Sequence, residues 1–130
     1  MDNYMARTTA QIVLQKIQNE IKYSNSISVD STLPSTLNAG TNYLCSSSGS
    51  LIISSGTSIQ DTFPDASTAA QYNCSVSFTA SSAKTVDVTI TITKNSKTLY
   101  TTTTSVFILG LINGTVGGTI GSAGTALEYQ

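Results

Sequence analysis

The 130-residue sequence has no histidine and no tryptophan, only two prolines and two cysteines, and few charges: six Lys or Arg and seven Asp or Glu, 10% of the chain. An average soluble domain carries about 25%. Without histidine, a serine or cysteine nucleophile lacks its usual base, and no lysine stands in a signature that replaces it. Cys45 and Cys74 form no CxxC motif and have no histidine to complete a zinc set. The six cations are scattered, which leaves no footprint for a phosphate backbone and argues against a nucleic-acid partner. Asp61 and Asp65 share a proline-containing loop, while Asp30, Asp87 and Glu128 have no local carboxylate neighbour, so glycosidase pairing is unsupported. These carboxylates suit turns and solvation better than a calcium loop. The expectation is a protein that is not an enzyme and holds no cofactor or metal.

Serine and threonine are abundant, roughly a third of the chain, so neutral hydroxyls supply most of the polar surface. With 39% hydrophobic residues and a net charge of −1, the chain has what it needs to fold. Low-charge surfaces associate readily, which points to assembly. The opening residues MDNYMARTTAQ show neither the basic nor the apolar part of a secretion signal.

Residues 8–23 carry a helical pattern. Thr8-Thr9-Ala10-Gln11 fits a capping box, in which a hydroxyl and an amide three residues apart satisfy the exposed donors of a helix start. Ala10, Leu14, Ile17 and Ile21 fall on one stripe, widened by Val13. Short apolar runs broken by Ser, Asn, Pro and Gly follow, which predicts strands at 26–30, 42–45 and 50–54 and a long loop over 56–71. In NCSVSFTA and TVDVTITIT, Cys74, Val76, Phe78 and Ala80, then Val86, Val88, Ile90 and Ile92, alternate with hydroxyl residues. That period of two predicts antiparallel strands with one wet face. Lys94-Asn95-Ser96-Lys97 reads as a tight turn into a third strand over 98–109. Its Thr101–Ser105 run offers no apolar face, as expected of a sheet edge or an intersubunit contact. The last strand is expected at 125–130.

Between Lys97 and Glu128 no charge occurs. Gly110, Gly114 and Gly118 stand at the spacing that lets membrane helices pack closely, but five glycines between Gly110 and Gly121, Asn113 and several hydroxyls dilute the hydrophobicity of residues 106–124. Buried strands with glycine-bearing bends, turning at Asn113-Gly114, are the better expectation, and a membrane partner is unlikely on these grounds. Cys45 and Cys74 read best as small buried hydrophobes, with a disulfide between neighbouring strands as the alternative.

The Thr/Ser-rich alternating strands, the scarcity of charge and a C-terminal stretch such as GTVGGTIGSAGTALEY resemble small capsid-decoration and fibre-type proteins of tailed phages. The resemblance implies a β-sandwich, jelly-roll-like or β-tulip-like, that oligomerises on a larger shell in a virion. The chain is accordingly read as a mainly β, antiparallel sandwich over residues 25–130, preceded by a helical arm over 1–24. Its partners would be copies of itself and other structural proteins. Val13, Leu14, Ile17 and Ile21 of the helix stripe, with Phe107, Leu109 and Ile112 of the uncharged stretch, are the candidate assembly residues. An extracellular filament subunit, a carbohydrate-binding or adhesive module built on a clustered tyrosine face, and a membrane-inserting protein are the alternatives.

Overall fold

Helix α1 spans Asp2–Ile21. No glycine or proline interrupts it, and Ala6, Ala10, Val13, Ile17 and Ile21 recur every three or four residues and are all buried. The helix starts a turn and a half earlier than the Thr8–Gln11 pattern predicts. Those residues are therefore helix interior, and Thr9 is buried. The stripe is centred on Val13 and Ile17, with Leu14 at its margin, partly buried against the core. The helix ends in a tightened turn, with the Ser24 N–H donating to the Ile21 carbonyl at 3.0 Å.

The computed structural model describes residues 2–31, 40–47, 50–56, 58–63, 73–111, 116–117, 121 and 123–130. Among the described residues nine strands follow the helix: β1 (Ile27–Asp30), β2 (Asn42–Ser47), β3 (Ser50–Ser55), β4 (Ser58–Phe63), β5 (Asn73–Ser82), β6 (Thr85–Lys94), β7 (Lys97–Phe107), β8 (Ala123–Gly124) and β9 (Ala126–Tyr129). They form two antiparallel sheets, ordered β1-β9-β2-β3-β4 and β7-β6-β5-β8. The antiparallel strands expected from the alternating pattern form, and their two sheets pack as the expected sandwich. One strand was not foreseen: β4 occupies part of the loop expected over 56–71, pairing with β3 through a register shift at Ile53/Ser54.

Register decides which side chains face inward. Across the first sheet, Ile27 and Val29, Tyr129 and Leu127, Leu44, and Ile53 and Leu51 lie on one face and join the core. Across the second, Cys74, Val76, Phe78 and Ala80 pair with Ile92, Ile90, Val88 and Val86, all buried in the same cluster. The first sheet covers β5, whereas α1 packs on β6 and β7. Helix and first sheet therefore share one layer over the second sheet. Each fully buried Val or Ile of the helix contributes about 1.5–3 kcal/mol by leaving water.

This arrangement corrects the division into a helical arm and a separate β-domain, because Val13, Ile17 and Ile21 belong to the same core as the strands. Cross-links outside the core also tie the helix end to the C-terminus. Tyr129 Oη donates to Glu20 Oε2 at 2.8 Å, and the Asn25 N–H donates to the Gln130 carbonyl at 2.9 Å.

Residues 106–124 do not form one helix. Val106 and Phe107 end β7, Ile108 bonds back to Lys84, Gly117 bridges β1 at Ser28, and Ala123–Gly124 form β8. The Asn113-Gly114 turn and Ile112 lie outside the described residues. Among the described residues no helix is long and apolar enough to cross a membrane. Gly110 is required where β7 leaves the sheet: a Cβ there would meet the backbone oxygens of Ser24 and Tyr23 at 2.3 and 2.4 Å.

Candidate assembly interface

The candidate residues divide by burial. Val13, Ile17 and Ile21 are fully buried against their own sheet and cannot meet a neighbouring subunit. Phe107 and Leu109, by contrast, are 58% and 55% exposed at the end of β7. They line an open groove of about 310 Å³ with Ser105, Val106, Gln18 and Lys22. Ser105 and Phe107 belong to one face of β7 and Val106 to the other, so the groove runs at the strand's edge.

Among the described residues β7 pairs with β6 alone, so its other edge has no described strand partner. Two of the other sheet ends differ. β1 is capped where Gly117 exchanges hydrogen bonds with Ile27 and Val29, and β8 has two residues. β7 has eleven residues, a register shift at Leu99, and no charge after Lys97. Proteins usually protect long edges with charge, proline, bulges or a covering segment.

The wet face of the second sheet is a field of hydroxyls. Register places Ser75, Thr91 and Thr101 in one row, Ser77, Thr89 and Thr103 in the next, and Thr79, Asp87 and Ser105 in a third. The Thr89 and Thr103 hydroxyls are 2.9 Å apart, those of Thr91 and Thr101 3.2 Å, and Ser105 Oγ donates to Asp87 Oδ1 at 2.5 Å. Thr101 and Thr103 themselves remain exposed.

No protein family, curated protein or solved structure matches the chain.

The two cysteines are free and buried. Cys45 shares the face of Tyr43, which alternates with the core-facing Leu44, whereas Cys74 points into the core. They lie on opposite sides of the first sheet, so the disulfide alternative is ruled out by direction and the reading as small buried hydrophobes stands. Burial pushes the Cys74 thiol up to about 11 and raises that of Cys45 as well.

The described tyrosines do not gather into a platform. Tyr43 and Tyr129 are buried, and exposed Tyr4 and Tyr23 lie at opposite ends of a helix about 30 Å long. Among the described residues no cluster of three His, Cys, Asp or Glu could hold a metal, and Asp65 lies outside them.

Sequence reasoning missed one constellation. Asp30 and Glu128 are diagonal neighbours on the outer face of the β1–β9 pair. Burial, then a hydrogen bond to Glu128, then the charge of Glu128 push the Asp30 carboxyl up to about 7. Asp30 Oδ2 is buried with no hydrogen-bond partner. The two residues are far apart in sequence, and only strand order brings them together.

Proposed function

We propose that this protein is a non-enzymatic structural subunit that works by self-association, and that its assembly is a filament. The observation that carries this reading is the open, uncharged β7 edge flanked by exposed Phe107 and Leu109. A strand edge offers a row of backbone donors and acceptors that any other strand can use, and a copy of the same chain is the partner always present. The helix stripe, the other candidate assembly surface, is already spent inside the fold.

A capsid-associated, decoration or fibre-type subunit of a virion is the second reading. The low-charge hydroxyl rows on the second sheet favour it, because such a face can lie against a shell without leaving charges unpaired. Electron microscopy of the purified protein separates the two. Fibres forming from the protein alone are the expected result; discrete particles that bind only to preformed capsids would replace the filament with the virion.

A further inference from the structure

We infer that β7 pairs with β7 of a second copy across a two-fold axis, antiparallel and centred on Thr102, so that two four-stranded sheets join into one of eight strands. The inference rests on the self-association in the proposed function; a two-fold pair closes the β7 edge, so it makes the dimer the repeating unit and leaves any filament to grow through a different surface. Four observations converge on a copy of this chain as the occupant.

The first is symmetry of content. Centring on Thr102 places Thr101 opposite Thr103 of the copy and Tyr100 opposite Thr104, all within the regular part of β7 that follows the register shift at Leu99. No like charges meet, and the Thr101–Thr103 pairs repeat the hydroxyl-to-hydroxyl contacts already made between β6 and β7. The second is the pleat. Residues paired in this register share parity, so the hydroxyl faces of both copies fall on one side of the joined sheet and both helices on the other.

The third is spacing. Helix α1 packs equally on β6 and β7. With strands about 4.8 Å apart, a helix centred between those two strands stands about 5 Å from the axis, and the two helices about 10 Å from each other. That is the distance at which helices pack. The fourth is what lies on the flank. Gln18 and Lys22 of the helix border the groove at the β7 edge, and Ile12, 39% exposed, lines a second opening along the helix with Thr8, Gln11, Leu14, Gln15 and Gln18. Ile12 is the exposed apolar side chain a facing helix would cover.

The test uses two double variants on the exposed hydroxyl face. In T101K/T103K, lysines oppose lysines across the axis; in T101K/T103E, each lysine opposes a glutamate. Both leave the core untouched, and circular dichroism checks that both fold. Sedimentation velocity over a concentration series at low salt reads the dimer dissociation constant. The expected result is a wild-type dimer, a dissociation constant raised at least about tenfold in T101K/T103K, and recovery in T101K/T103E. A dimer unchanged in T101K/T103K overturns the β7 interface while leaving self-association standing. Loss of the dimer in both variants overturns the register. A wild-type protein that stays monomeric overturns the interface together with the reading it rests on.

Discussion

Asp30 is a side chain whose charge state changes near neutral pH. Its carboxyl, ordinarily at 3.8, is held protonated up to about 7 in the folded protein. The folded state therefore binds a proton that the unfolded chain has released, and the stability this confers is complete below about pH 4 and lost as pH rises through about 7. Melting temperature should fall between pH 5 and pH 8, and Asp30→Asn, which keeps a donor toward Glu128 without a charge, should flatten that decline. A wild-type profile equally flat would remove the carboxyl pair from the account. Burial sets a second contrast on one helix. Ile17→Ala should cost about 2–5 kcal/mol in urea denaturation, because it leaves a cavity against the second sheet. Ile12→Ala on the monomer should stay within about 0.5 kcal/mol. Periodicity alone shows Ile17 on the inner stripe. It cannot show what that stripe meets, and for this reason Val13, Ile17 and Ile21 read equally well as a docking surface.

At the scale of the element, strands β5 and β6 were fully legible, since alternation of Val, Ile and Phe with Thr and Ser admits only one face toward a core. The Lys94–Lys97 turn was legible for a related reason. Asn95 and Ser96 adopt φ of 52° and 62°, the left-handed pair that a two-residue hairpin demands. β4 was hidden because its pairing depends on β3 rather than on its own pattern, and the helix start because the interior Thr8–Gln11 mimics a cap. The shared layer of helix and first sheet was not legible at all, as it depends on which strands the helix covers. It carries a prediction: deleting residues 1–24 bares the inner face of β6 and β7, so the remainder should aggregate or lose its strand signal by circular dichroism. A soluble, folded remainder would restore the separate arm. Gly110→Ala should destabilise by about 1–3 kcal/mol, since the added carbon meets backbone oxygens that cannot swing aside.

Over the whole molecule, the two thiols are buried on opposite sides of one sheet and hold no part of it together. Reducing agent should leave both melting temperature and oligomer size unchanged, and a thiol reagent should label Cys74 only after unfolding. Labelling of the native protein at the rate of a free thiol would mean that the core opens there. The strand order has a further bearing, on the making of the protein. β9 lies between β1 and β2, so the first sheet is two unconnected pieces until its central strand arrives. During synthesis, residues 126–129 are the last of that sheet to leave the ribosome. The helix and the β5–β7 meander can form early, but the nascent chain must wait with half its sandwich open until residues 126–129 close it.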